Sequence, residues 1–220
     1  MDLQGTADYG LVTAKTIQTF VGFLALAFPL ILLAWGLWLG IGVLDSLSDY
    51  YVYRTRDAFV GSLLVIALCL FAYRGYERKD DLAGDAAGLF AVFIALSPSG
   101  GATWERALHF TAAVLFFLTL SLIATFLFTK TGSVAPMTPQ KKIRNRIYVA
   151  SGAIIVASVV LIGVYGITGL DGTALATIRP VLVLEAAAVW AFGFAWLIKG
   201  ETFVADPVPR RQEREVVQWT

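Results

Sequence analysis

Four ionisable side chains in apolar surroundings have types and spacings that permit chemistry. The chain's one histidine, His109, follows Glu105 by four residues, so the two share a helix face. Asp57 begins one apolar run, and Glu185 lies inside another. An imidazole beside a carboxylate is suited to proton transfer, and two carboxylates with one imidazole can also hold a metal. The residues therefore permit acid–base catalysis by His109 with Asp57 or Glu185 as its partner.

Arginines and polar residues close to these groups in sequence permit two other interpretations. Arginine binds phosphate and carboxylate through paired hydrogen bonds, which favours a pocket for an anionic or amphipathic ligand such as a lipid headgroup. Alternatively, the charges pair with one another and hold the helix ends together. The residues predicted to bind a ligand are Asp49, Tyr50, Arg54, Arg56, Glu105, Arg106 and Arg179.

The residue inventory excludes several classes of function. One histidine and one cysteine, Cys69, exclude a poly-histidine zinc site, paired-histidine haem ligation within one chain and an intrachain disulfide. The sequence has no glycine-rich phosphate loop and no GxSxG elbow. We therefore expect no metal, no cofactor and no nucleic-acid partner.

The composition predicts an all-α, polytopic transmembrane bundle. Hydrophobic residues make up 58% of the chain and charged residues 15%, and the mean hydropathy is +0.73. Soluble domains have about 45–50% apolar and about 25% charged residues. A spanning helix needs about 20 apolar residues. Residues 1–203 are predicted to form a six-helix transmembrane domain and residues 204–220 a cytoplasmic tail, with spans at about 18–44, 58–75, 84–103, 106–129, 147–169 and 179–199.

The distribution of lysine and arginine predicts the orientation. With six spans, thirteen of the 17 basic residues fall on one side of the membrane. Cytoplasmic loops hold the excess of Lys and Arg, so both termini are predicted to be cytoplasmic. An alternative is that the first segment is a signal peptide cleaved after Ala25-Leu26-Ala27. Cleavage there would leave five spans and place the basic loops outside the cell. That arrangement conflicts with the rule that cytoplasmic loops hold the excess of Lys and Arg.

Small residues and a capping pattern predict local packing. Gly84-x-x-x-Gly88 favours close helix approach, either within the chain or at a homodimer face. Thr138 followed by Pro139 predicts a helix N-cap and a short basic helix leading into the fifth span. The expected partners are membrane lipids, together with a second copy of this chain or another subunit of a membrane complex.

Several segments resemble a signature of bacterial six-helix integral membrane proteins that have no established activity. The residues that carry the resemblance are 48–51, 56–61, 73–76, 144–148, 184–185 and 190–193, and the similarity covers most of 45–200. More distantly, the chain resembles the DRAM- and FRAG-type six-helix proteins linked to lipid handling. The resemblance implies a multi-pass protein of the bacterial inner (plasma) membrane. The presence of Ser, Asp and His near one face also resembles ceramidase-like membrane hydrolases. Those enzymes need several histidines to bind zinc, and this chain has only His109.

From these observations we expect an outward-facing polar pocket that binds a lipid or small amphipathic ligand without catalysis. One alternative is a membrane enzyme that acts on a lipid, with His109 as acid or base. Another is an accessory subunit of a larger membrane complex. The cavity is expected to be lined by Asp57, Glu105, His109 and Glu185, with Arg54, Arg56, Arg106 and Arg179 at its rim.

Overall fold

A computed structural model describes residues 14–75, 77–130 and 137–204, which are all-α and contain no strand. A π-helical turn, Ile123–Leu127, extends the fourth helix, and three short 3-10 turns lie in the connections: Ser48–Val52, Leu170–Gly172 and Ala174–Ile178. The prediction of an all-α fold is confirmed. The helices are α1 Ala14–Trp38, α2 Arg56–Ala72, α3 Arg78–Leu96, α4 Thr103–Leu122, α5 Pro139–Thr168 and α6 Pro180–Lys199.

The six described helices form a closed antiparallel ring. Each packs against its neighbours in sequence, α6 closes the ring against α1, and α4 also touches α6. We call one end of the ring the Asp45 end; it contains residues 39–55, 97–102 and 169–179. The opposite end, which contains Lys15, residues 73–75, Lys130 and residues 200–204, is called the Lys130 end. Contacts define both ends, because Ser99 Oγ donates to Ser48 O at 3.1 Å while Lys15 pairs with Glu201.

Four of the described helices are long and apolar enough to cross a membrane: α1, α4 with its π-helical extension, α5 and α6. Helix α2 has only 17 residues. Helix α3 begins with charged turns that contain Asp80 and Asp81. The four apolar helices indicate a multi-pass membrane protein.

The structure changes four of the predicted boundaries. Helix α3 ends at Leu96 and not near residue 103, since Pro98 follows its C-cap residue Ser97. Helix α1 ends at Trp38 and not near residue 44, since Gly40 (φ +73°) and Gly42 (φ +84°) adopt left-handed backbone that glycine reaches without strain. Helix α3 begins at Arg78, before its apolar part, because backbone hydrogen bonds define a helix and hydropathy does not. The N-cap prediction is confirmed, as Thr138 Oγ1 accepts from the Lys141 N–H at 3.0 Å. However, the basic segment is continuous with α5, which has 30 residues.

Small residues permit close contacts inside the chain. A Cβ atom on Gly88 would lie 3.1 Å from the Ala67 carbonyl oxygen of α2, and one on Gly84 would lie 3.0 Å from the Leu70 carbonyl oxygen. The Gly84-x-x-x-Gly88 pattern therefore packs α3 against α2 and is not an exposed docking face.

Candidate ligand-binding site

A cavity of about 50 Å³ lies between the helices near the Asp45 end. Its walls come from α1, α2, α3, α4, α6 and the connection between α1 and α2, residues 39–55, which we call the first loop. Helix α5 contributes none of the lining residues. Its polar side chains are those of Ser48, His109 and Glu185. The other lining residues are apolar: Phe28, Leu47, Phe59, Leu63, Ile94, Ala113, Phe116, Phe117 and Val189.

His109 lies on the second turn of α4 and is buried, with 1% of its surface exposed. Its Nδ1 lies 2.7 Å from the carbonyl oxygen of Ser97, the C-cap residue of α3. A carbonyl oxygen only accepts, so Nδ1 carries the proton in this bond. In the neutral ring Nε2 is then an acceptor. His109 thus joins α3 to α4, and its ring forms part of the cavity wall.

Glu185 connects α6 to the first loop. Its Oε2 accepts from the backbone N–H of Leu47 at 2.6 Å, and Ser48 Oγ donates to Oε1 at 3.4 Å. Leu47 precedes the 3-10 turn Ser48–Val52, so the carboxylate accepts a hydrogen bond at the start of that turn. The backbone N–H of Leu182 adds a bond to Asp45 O at 2.9 Å. These bonds hold the loop over the cavity.

Asp57 and Glu105 do not line the cavity. Asp57 is exposed on the first turn of α2. It precedes Phe59, a lining residue, by two positions, which places it on the opposite side of the helix. Glu105 turns back to the start of its own helix, where Oε2 accepts from the Ala102 N–H at 2.7 Å. The expectation that four ionisable groups share one cavity therefore needs correction: His109 and Glu185 line it.

Tyr50, predicted to bind a ligand, is a buried structural residue with 0% exposure. Its hydroxyl donates to Gly42 O at 3.1 Å and accepts from the Leu44 N–H at 3.2 Å. Its ring packs where a side chain on Gly36 would otherwise lie. The tyrosine therefore holds the loop against the end of α1.

The remaining predicted ligand-binding residues lie at the surface of the Asp45 end. Asp49 and Arg179 border one open depression, where Arg179 Nε lies 3.6 Å from Asp45 Oδ1. Arg54 and Arg56 line a neighbouring depression with Tyr51 and Tyr53. Arg106 is exposed on α4 and lines neither depression nor the cavity.

The Lys130 end contains a buried charge that sequence reasoning missed. Asp80 has 1% of its surface exposed, and its Oδ1 lies 2.5 Å from Lys130 Nζ, while Glu77 lies 3.3 Å from the same nitrogen. The hydrogen bond that Lys130 donates to Asp80 is the main cause that raises the pKa of Lys130 above its ordinary value. In the sequence these residues look like ordinary loop charges, so no local signal identifies the pair.

Comparison of the chain with protein-family models, with curated proteins and with solved structures finds no match. The class of protein therefore follows from the fold alone: an all-α, multi-pass membrane protein. Among the described residues, no group of three or more His, Cys, Asp or Glu side chains is placed to hold a metal ion.

Proposed function

We propose that this chain is a six-span protein of the bacterial inner membrane, with both termini in the cytoplasm, that binds a membrane lipid or similar amphipathic molecule without catalysis. The observation that carries the proposal is the cavity, in which Ser48, His109 and Glu185 meet a wall of apolar side chains. Sites for small ligands are mostly apolar with a few polar groups that orient the ligand, and they have volumes of about 300–1,000 Å³. At about 50 Å³ this cavity has the composition of such a site but space for only one polar group of the ligand.

The pair of Asp80 and Lys130 supports six spans. Lys130 follows the apolar helix that extends to Leu127, so it lies at the far end of a span. Because Asp80 contacts it, the α2–α3 hairpin reaches the same depth as the end of α4. At 1.5 Å per residue, α2 and α3 are about 25 and 28 Å long, close to the roughly 30 Å hydrocarbon core. The basic residues at this end favour the cytoplasmic side.

The flank beside the cavity supports an amphipathic ligand. Helices α4 and α5 meet where Ser121 Oγ donates to Gly152 O at 2.9 Å. Along α5, which the structure describes in full, no residue beyond Ser158 is buried. In the half of α4 nearer the Asp45 end, Phe110 has 52% and Val114 has 43% of its surface exposed. In a bilayer these surfaces contact hydrocarbon, so an acyl chain can lie against α4 while a polar group reaches the cavity.

The hydrogen bonding of the two cavity groups favours binding over catalysis. His109 and Glu185 each hold a backbone group, the Ser97 carbonyl and the Leu47 N–H respectively. Asp57, one of the two carboxylates proposed as a partner for His109, does not line the cavity. A lipid-directed enzyme therefore remains a second candidate only through the pair of His109 and Glu185.

Filling the cavity tests the proposal. Ala113 lines the cavity, whereas Ala107 on the same helix is exposed, so Ala113→Phe and Ala107→Phe form a matched pair. Native mass spectrometry of protein purified from bacterial membranes should detect bound lipid on the wild type and on Ala107→Phe, with a loss of about tenfold or more on Ala113→Phe. Equal lipid retention by both folded variants, or a wild type that carries no lipid, would contradict the proposal.

A further inference from the structure

A separate depression at the Asp45 end has the composition of an anion site. It is open, with a volume of about 740 Å³. The connection between α3 and α4 forms one wall, and the end of the first loop with the start of α2 forms the other. Its lining residues are Tyr51, Val52, Tyr53, Arg54, Arg56, Pro98, Gly100 and Gly101.

The guanidinium group of Arg56 is held in place by Tyr51. Arg56 Nη2 donates to Tyr51 Oη at 3.1 Å, and the guanidinium carbon lies 4.8 Å from the centre of the same ring. Tyr51 is itself buried, with 5% exposure, and its ring contacts Phe59 edge-on at 5.9 Å. A guanidinium that is fixed before binding loses less conformational entropy when an anion binds.

Neither arginine of the depression is ion-paired within the part of the chain that the structure describes. By contrast, Arg74, Arg144 and Arg179 each lie within 4.0 Å of a carboxylate oxygen. Two exposed arginines without carboxylate partners, on the wall of one depression, leave their charge available to a ligand. A guanidinium group can bind two phosphate oxygens at once.

Exposed tryptophans indicate the depth of this depression in the bilayer. Trp38 at the end of α1 is 80% exposed and Trp104 at the start of α4 is 67% exposed, both at the Asp45 end. Tryptophan and tyrosine are enriched at the membrane–water interface, at the level of the headgroups. Arg54 and Arg56 therefore lie near the depth at which phospholipid phosphates are found.

We propose that this depression binds the phosphate group of a phospholipid in the outer leaflet, with Arg54 and Arg56 donating hydrogen bonds to its oxygens. The proposal rests on the proposed function in placing the Asp45 end outside and in taking a lipid as the ligand. It adds the chemical class, a phosphate-bearing headgroup, and a site distinct from the cavity. The two sites share a wall, because Tyr51 packs on Phe59, which lines the cavity.

The test compares two lipids and two sets of arginine variants in nanodiscs. The nanodiscs are made of digalactosyldiacylglycerol, a bilayer lipid without phosphate, and either phosphatidylglycerol, which carries a phosphate, or diacylglycerol, which lacks one, is added. Bound lipid is then counted by native mass spectrometry. The variant is Arg54→Gln with Arg56→Gln, and the control is Arg106→Gln, an exposed arginine at the same end outside the depression. We expect the double variant to lose phosphatidylglycerol about tenfold or more, with diacylglycerol binding and the control unchanged.

Three outcomes would overturn the inference. If the double variant retains phosphatidylglycerol as the wild type does, the headgroup site fails, while a loss of lipid in Ala113→Phe still supports the cavity. If the wild type binds neither lipid, the proposed function fails as well. If inorganic phosphate at millimolar concentration binds the wild type through Arg54 and Arg56 while phosphatidylglycerol does not bind, the site binds free phosphate and not a lipid. Tyr51→Phe removes only the hydroxyl that holds Arg56, and a smaller loss of phosphatidylglycerol is expected from it.

Discussion

At the scale of single residues, hydrogen bonds to the backbone determine what the ionisable groups can do. Glu185 and His109 both face the cavity, yet each also bonds a backbone group of a neighbouring segment. Asp57 carries the same kind of carboxylate on an exposed turn. Removing these groups should therefore have unequal effects on stability, and the difference can be measured.

Replacing Glu185 should destabilise the first loop. Leu47 is 3% exposed, so in Glu185→Ala its N–H loses its acceptor in a buried position, at a cost of about 1–3 kcal/mol. Glu185→Gln keeps a carbonyl acceptor and should lose less. The measurement is the free energy of unfolding in mixed micelles, with Asp57→Ala as a control expected within about 0.5 kcal/mol of wild type. Equal losses in Glu185→Ala and Asp57→Ala would show that the bond does not stabilise the fold.

The pair of Lys130 and Asp80 should make stability depend on alkaline pH. Because hydrogen bonding to Asp80 raises the pKa of Lys130 above 10.5, folding favours the charged lysine. This contribution is fully present below pH 10.5 and is lost as the pH rises through the raised pKa of the folded state. The difference in melting temperature between wild type and Lys130→Met should therefore be constant from pH 7 to about 10 and shrink above that. A difference that does not change at high pH would contradict this assignment.

At the scale of helices, close approach of backbones holds the ring together. Helices α1 and α6 meet at Gly22 and Gly193, and Trp190 Nε1 donates to Leu26 O at 3.1 Å in the same interface. Without a hydrophobic driving force between helices in lipid, such contacts rely on van der Waals packing of small residues. The α1–α6 contact is therefore sensitive to added volume.

Adding one methyl group should lower stability at a glycine in a close helix contact and should not lower it at a glycine with open space around it. In Gly193→Ala the Cβ atom would lie 2.9 Å from the Gly22 carbonyl oxygen and 3.0 Å from Ala25 Cβ, so the helices must move apart. We expect a loss of about 1–3 kcal/mol. Gly163→Ala in α5 meets nothing within 4 Å and should be neutral or stabilise by up to about 1 kcal/mol. Unfolding in mixed micelles measures both, and a neutral Gly193→Ala would refute the close contact.

At the scale of the whole molecule, the depth of the α2–α3 hairpin determines the number of spans. Helices α1, α4, α5 and α6 meet the length and hydropathy of spanning helices on their own. The proposal that α2 and α3 also cross depends on their position in the ring, next to α1 and α4. The charged residues between α2 and α3 then lie on the opposite side of the membrane from Asp45.

Thiol labelling of intact cells distinguishes six spans from four. In a Cys69→Ala background, Lys79→Cys lies in the first turn of α3 and Asp171→Cys in the connection between α5 and α6, and both positions are exposed. With six spans, a membrane-impermeant reagent should label Asp171→Cys from outside and Lys79→Cys only after permeabilisation. Labelling of Lys79→Cys in intact cells would show that the hairpin does not cross.

The sequence by itself determined the helical class of the protein. Apolar runs define the spanning helices wherever the backbone must satisfy its own hydrogen bonds in lipid. The N-cap at Thr138 was predictable because capping is a local interaction. His109 and Glu185 were predicted to share a cavity since the helical rise per residue fixes how far each lies from its helix end.

Only the tertiary structure decided which of these groups meet. The rotation of each helix, set by packing against its neighbours, turns Phe59 toward the cavity and leaves Asp57 outside it. Asp80 and Lys130 are 50 residues apart in sequence and come together only when the ring closes. Side-chain contacts between helices depend on the rotation of each helix and on the closure of the ring. The spacing of residues along the sequence determines neither of these.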